Sequence, residues 1–324
     1  MTDHSVKLQP RIGITQGDLN GIAYEIILKA FADQRMLEMA TPVLYGQSKA
    51  LSYYKKNFGI DTFNYSLTRD ARQSWQQKFN IINIVDEELK IEPGKATALS
   101  AEMSAYALKK AVEDLRYGHL DALLLAPVCE QMELSERDYL SASFDKPDML
   151  RLLVSGALRI GCATDEIPLN EALPLLNASF VVGKLITMSR TLQTDFGLTA
   201  PKIALIDIDP HASAKGLGAE AVAQVRKKGV YAFGPFSAQQ VFGSGLWQKY
   251  DGVLCMTYGQ AMLPFRMMNP DGGAYLWAGL PVVCTGPVHG PGFDIANTNH
   301  ATPDGLRAAF YLALDAARHR KEVK

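Results

Sequence analysis

Lys202-Ile203-Ala204-Leu205-Ile206-Asp207-Ile208-Asp209-Pro210-His211 is the stretch on which the reading of the fold turns. Residues 202–208 form a short, mostly apolar run, which predicts a buried strand. His211 falls just past the carboxyl end of that strand, where open α/β sheets place their ligand-binding groups. A metal needs several ligands, so one histidine defines no centre by itself.

The flanking sequence repeats the same alternation. Apolar runs predict strands at residues 11–15, 42–45, 79–85, 122–126, 252–256 and 281–285. Amphipathic stretches predict helices at 22–31, 100–116, 180–196 and 219–228, and Gly118 is the expected stop of the second. A last helix after Pro303 places Leu306, Phe310, Ala313 and Ala317 on one face. Strands alternating with helices predict a parallel sheet flanked by helices. Residues 150–154 and 158–163 flank Ser155-Gly156 and predict a hairpin, the break in rhythm that marks a second domain.

A chain of 324 residues with 48% hydrophobic content can bury a large core, and its length suggests two domains. A net charge of −1 leaves no basic surface for nonspecific nucleic-acid binding. The first ten residues lack the apolar core of a secretory signal, and no apolar run approaches the ~20 residues that span a bilayer. A cytoplasmic protein with no membrane partner is expected. Cys129, Cys162, Cys255 and Cys284 form no C-x-x-C pair and read as free thiols in apolar surroundings.

Three glycine-rich stretches are candidate loops. Gly13-Ile14-Thr15-Gln16-Gly17-Asp18-Leu19-Asn20-Gly21-Ile22 runs from strand through turn into helix and reads equally as a structural turn or an anion-binding loop. Gly216-Leu217-Gly218-Ala219-Glu220-Ala221 fits G-x-G-x-x-A, but the seven residues after Ile208 favour a helix-entry loop over a dinucleotide site. In Gly286-Pro287-Val288-His289-Gly290-Pro291-Gly292-Phe293-Asp294, His289 and Asp294 could bond a ligand or each other; a structural pair is the favoured reading. His4, His119, His300 and His319 read as surface residues.

Gly17-Asp18, Asp209-Pro210-His211-Ala212, Gly279-Leu280-Pro281 and His289-Gly290, in that order and spacing, resemble the 4-hydroxythreonine-4-phosphate dehydrogenase (PdxA) family of vitamin B6 biosynthesis. The resemblance spans roughly residues 11–318. It implies an isocitrate/isopropylmalate-dehydrogenase-like α/β fold, two α/β/α lobes with a cleft between them. Residues 1–133 plus 288–324 are expected in the first lobe and 134–287 in the second, which carries dimer contacts. It also implies a homodimer, NAD, a divalent metal such as zinc on three histidines, and oxidation then decarboxylation of 4-phosphohydroxy-L-threonine.

Matched residue by residue, the chemistry departs from that pattern. Of the metal positions, His211 is retained, Glu166 (in Thr164-Asp165-Glu166-Ile167-Pro168-Leu169) stands at the second, and Tyr258 (in Thr257-Tyr258-Gly259-Gln260-Ala261) at the third. The substrate-binding positions become Ser141-Ala142-Ser143-Phe144, with Ser143 retained as a hydroxyl, Arg266 for a lysine, Tyr275 for an asparagine and Cys284 for an arginine. P-[IV]-N-K becomes Pro127-Val128-Cys129-Glu130. A neutral tyrosine, with a pKa near ~10, is a poor metal ligand, and the metal is the Lewis acid such an oxidation needs. Two readings follow: a dehydrogenase whose activity is lost or altered toward a small phosphorylated substrate, or a silent paralogue serving as a binding or scaffold subunit.

Overall fold

The computed structural model describes residues 9–87, 89–129, 135–209, 211, 215–270 and 272–322. His4, Glu130, Pro210, Ala212, Ser213 and Ala214, named above, lie outside the described residues. The chain divides into two compact units, Met1–Tyr139 with Val282–Ala317, and Leu140–Pro281 with Arg318–Lys324. The crossings fall six residues from those expected. The end of the last helix groups with the second unit instead of the first. There Arg320 forks onto the Asp195 carboxylate at 2.6 and 2.7 Å, and His319 Nδ1 lies 3.0 Å from the Asp195 carbonyl.

In chain order the first unit builds β1 (Arg11–Thr15), α1 (Ala23–Phe31), α2 (Gln34–Met39), β2 (Thr41–Gly46), α3 (Ser48–Asn57), β3 (Tyr65–Leu67), β4 (Phe79–Asn83), α4 (Ala98–Arg116) and β5 (Ala122–Leu124). The chain continues through α5 (Glu136–Phe144), β6 (Leu150–Ser155), β7 (Leu158–Cys162), α6 (Leu169–Leu175), α7 (Ala178–Thr194), β8 (Lys202–Ile206), α8 (Leu217–Arg226), β9 (Tyr231–Phe236), β10 (Gly252–Cys255), α9 (Tyr258–Met268) and β11 (Ala274–Ala278). It returns with β12 (Val283–Pro287) and α10 (Asp304–Glu322).

In the first unit the strand order is β3-β4-β2-β1-β5-β12, with every pairing parallel. Parallel strands must be covered on both faces, and β2, β5 and β12 are buried along their whole length. Phe31 packs on Phe79 and on Phe310 of α10, with ring centroids 5.1 and 5.3 Å apart. Leu306, Phe310, Ala313 and Ala317 all face this core, as their spacing predicts. In the second unit the order is β11-β6-β7-β10-β8-β9, and β6 runs antiparallel to both β11 and β7. The predicted hairpin is present, with Ser155 opposite Leu158, so the turn falls on Gly156-Ala157, one residue later than expected. Gly156 supplies the positive φ of +54° that the turn requires.

The first glycine turn proves to be a structural one. Gly17 has φ +67°, and a Cβ there would lie 2.6 Å from both Ala23 Cβ and the Pro127 carbonyl oxygen. The buried Asp18 carboxylate accepts from the Asn20 N–H (2.8 Å) and the Ser100 hydroxyl (3.1 Å), and the Ser104 hydroxyl donates to the Gly17 carbonyl (2.7 Å). The Ile22 N–H at the start of α1 donates to the Pro291 carbonyl (2.8 Å). That helix start is spent on the chain itself. The four cysteines are free and buried.

Candidate functional site

Three of the positions matched to the family's polar contacts, Glu166, Tyr258 and Tyr275, gather in the second unit around Arg151, which the sequence reading did not single out. Arg151 stands on β6 opposite Cys162 of β7 and Trp277 of β11. The period of two along a strand puts Tyr275 and Trp277 on one face, and their rings make an edge contact at 5.7 Å. The Arg151 guanidinium lies 5.0 Å from the Trp277 ring centroid, 5.4 Å from Tyr275 and 6.0 Å from Tyr258. Immediately past β7 the chain turns through Asp165, at φ +58°, and presents two successive carboxylates to the same cation. Arg151 Nε lies 3.0 Å from Asp165 Oδ1, and Nη1 donates to Glu166 Oε2 at 3.2 Å.

Tyr258 is the first residue of α9, which begins directly after β10. The Gln260 side chain accepts from the Thr257 N–H (3.2 Å) and donates to the Asp207 carbonyl (2.8 Å), tying the helix start to the end of β8. Burial, and then the Glu166 carboxylate to which it hydrogen-bonds, raises the Tyr258 pKa above its ordinary value. The phenol therefore stays protonated and acts as a donor to Glu166, the opposite of what a metal ligand must do.

The remaining positions lie on other segments of the chain. His211 is exposed on a turn, its backbone N–H donating to Asp209 Oδ1 at 2.8 Å. Arg266 is half-buried in the last turn of α9, Ser143 half-buried near the end of α5. Cys284 is fully buried in β12 of the other unit. His289 Nδ1 lies 3.1 Å from the Gly290 carbonyl.

The donor set does not fit the implied metal. Among the described residues no three His, Cys, Asp or Glu side chains come together as a metal-binding group. Glu166 Oε2 is engaged by Arg151. An ion bound to that oxygen at about 2.1 Å would lie within about 5 Å of Nη1. A dication and a guanidinium that close repel by roughly 6 kcal/mol at an effective dielectric near 20. The G-x-G-x-x-A stretch fits a pyrophosphate no better. Asp207 is buried beside the start of α8, and a Cβ on Gly218 would lie 2.5 Å from Asp207 Oδ2. The protein's own carboxylate stands where an anion would sit, as a helix-entry loop requires.

Arg151, Asp165 and Trp277 were missed for an identifiable reason. The alternation of Leu150-Arg151-Leu152-Leu153-Val154 carries one charged residue inside an apolar strand, which signals a buried pair. Its partners follow β7 and β10 or lie within β11, and only strand pairing connects them.

The topology of the second unit, with one antiparallel strand inside a parallel sheet, and the wholly parallel first unit place the chain in the isocitrate-dehydrogenase-like class. Isocitrate dehydrogenase from Methylococcus capsulatus shares this fold at a TM-score of 0.51 and 12% identity, over 96% of this chain and 88% of that one. The 4-hydroxythreonine-4-phosphate dehydrogenase of Klebsiella pneumoniae matches more fully, with a TM-score of 0.82 and 25% identity over 97% of this chain and 99% of that one. The chain belongs to the PdxA family: the sequence model described as "Pyridoxal phosphate biosynthetic protein PdxA" matches residues 38–313. The 4-hydroxythreonine-4-phosphate dehydrogenase of Bacteroides thetaiotaomicron is 34% identical over 330 residues, covering 97% of this chain and 90% of that protein.

Proposed function

We propose that this chain keeps the scaffold of its vitamin B6 biosynthetic family and a pocket for a small phosphorylated ligand, but has lost the metal-assisted, NAD-linked oxidation and decarboxylation of 4-phosphohydroxy-L-threonine. The observation that carries this reading is the clamp of Arg151 by Asp165 and Glu166. A fixed organic cation lies against one of the three metal positions, a protonated tyrosine stands at another, and the one retained histidine is exposed on a turn. A guanidinium donates hydrogen bonds but has no vacant orbital for an alkoxide. Arg266 and Ser143 remain as groups able to hold a phosphate. The test pairs metal analysis of the dialysed protein with NADH formation from NAD and 4-phosphohydroxy-L-threonine. Substoichiometric zinc and no NADH above background are expected. Stoichiometric metal with robust turnover would overturn the reading.

A second reading, a silent subunit that binds or scaffolds, is favoured by apolar side chains left in solvent. Leu169 and Leu173 of α6 are 58% and 48% exposed, and Leu263 and Met267 of α9 are 65% and 77% exposed. Exposed apolar groups at this density favour contact with another chain, and a homodimer is the first such assembly to expect. Sedimentation as a monomer at micromolar concentration would remove this reading.

A further inference from the structure

The second unit holds a cavity of about 260 Å³ on the α7 side of the sheet, away from the aromatic clamp of Arg151. One wall is a single stripe of α7: Thr187, Arg190, Thr191 and Thr194 recur at helical spacing of three and four residues. The facing wall is Lys146 and Asp148 before β6, together with Gly279, where the Gly279-Leu280-Pro281 motif leaves β11. Arg320, from the end of α10, closes the cavity.

Each wall is held by groups that lie beneath it. Arg320 is oriented by a two-bond fork onto Asp195, whose side chain is wholly buried, and the fork leaves its remaining N–H groups for other acceptors. Lys184, 2% exposed, donates to the carbonyls of Asp148 (3.1 Å) and Met149 (2.8 Å), which fixes the opposite wall and adds positive charge under it. The Gly279 N–H donates to Thr191 Oγ1 at 3.2 Å. Gly279 has φ +90°, and a Cβ there would lie 2.7 Å from Thr187 Cγ2. The motif's glycine is what brings the loop up against the α7 stripe at this cavity.

Three cationic side chains, Lys146, Arg190 and Arg320, thus line the cavity with one carboxylate, Asp148, while the buried Lys184 and Asp195 lie beneath its walls. The Thr187 and Thr191 hydroxyls add polar groups, while the Thr194 hydroxyl is spent on Asp195 Oδ1 at 2.8 Å. A guanidinium and an ammonium flanked by hydroxyls form the donor set that recognises tetrahedral oxyanions. We infer that this cavity is a second ligand site, for a small phosphate-bearing molecule, separate from the cluster around Arg151. It does not depend on whether the family reaction survives.

Isothermal titration of the full chain at low ionic strength, with inorganic phosphate and with glycerol phosphate, tests this directly. Saturable binding of at least one is expected, with a dissociation constant of about 1 mM or below. Arg190→Gln and Lys146→Gln remove exposed cations without touching the core, and each should weaken binding about ten-fold. Lys228→Gln, outside the cavity, should leave it unchanged. Tighter binding of the ester assigns an organic phosphate, and equal binding assigns the free ion. No saturation up to about 10 mM, or unaltered affinity in the Arg190→Gln/Lys146→Gln double variant, overturns the inference.

Discussion

Arg151 does for its surroundings what a bound cation would do, neutralising Asp165 and Glu166 together while its flat guanidinium covers aromatic faces. Asp165 is 4% exposed, so deleting the cation leaves a buried charge unpaired. Arg151→Ala is therefore expected to lower unfolding free energy by about 3 kcal/mol, measured by urea denaturation; a loss below about 0.5 kcal/mol would make the clamp an idle surface pair. The same geometry sets what repair of the metal positions demands. Glu166→His with Tyr258→His alone should bind zinc poorly, because Arg151 stays. Adding Arg151→Gln should raise affinity at least ten-fold by removing the adjacent charge, and equal zinc content in the double and triple variants would refute that account. Glu166 and Tyr258 could be located from their neighbours in sequence. Arg151 could not, because its partners follow other strands.

Turns and caps decide the elements. The β1–α1 turn works because Gly17 adopts a conformation open to few other residues and leaves no room for a methyl group. Gly17→Ala should accordingly cost about 3 kcal/mol or more from combined backbone strain and overpacking, read as a fall in Tm by circular dichroism. A Tm within a degree of the parent would show that the turn relaxes. Helix α4 starts two residues before its expected first residue, since Thr97 accepts from the Ser100 N–H at 3.2 Å and extends the first turn. Strands β3, β9 and β11 and helices α2, α3, α5, α6 and α9 were not anticipated. Pro264 interrupts the helical pattern of α9, and β11 is a five-residue run of small and aromatic residues with no alternation, being buried at every position.

Across the described residues, five tyrosines share a pH liability. Burial raises the pKa of Tyr24, Tyr45, Tyr54, Tyr250 and Tyr258 above the ordinary 10.0, with Asp114 adding to the effect at Tyr45 and Glu166 at Tyr258. A raised folded-state value means the folded chain holds these protons more tightly than the unfolded one. The stability they contribute is complete below about pH 10 and is lost as pH climbs toward the folded values. Tm should hold steady up to about pH 10 and then fall, with tyrosinate absorbance lagging until unfolding. Ionisation of all thirteen tyrosines near pH 10 in the folded protein would contradict this.

What the sequence determined by itself was local or ordinal. The order of nine of the twelve strands and of five of the ten helices, the hairpin at β6–β7, the core face of α10 and the family could be read there, because periodicity and motif spacing act over a few residues at a time. So could the departures at the positions that the resemblance assigns to a metal, since each is visible beside its own motif. Only the tertiary structure decided what fills those positions. Arg151, Asp165, Glu166, Tyr258 and Trp277 come from four segments separated by up to 126 positions, and their meeting depends on β6 running antiparallel between β7 and β11. The same holds for Arg320 and Asp195, 125 positions apart. Charge pairing and aromatic contact act through space at a few ångströms, and the chain order carries no record of which strands will lie side by side.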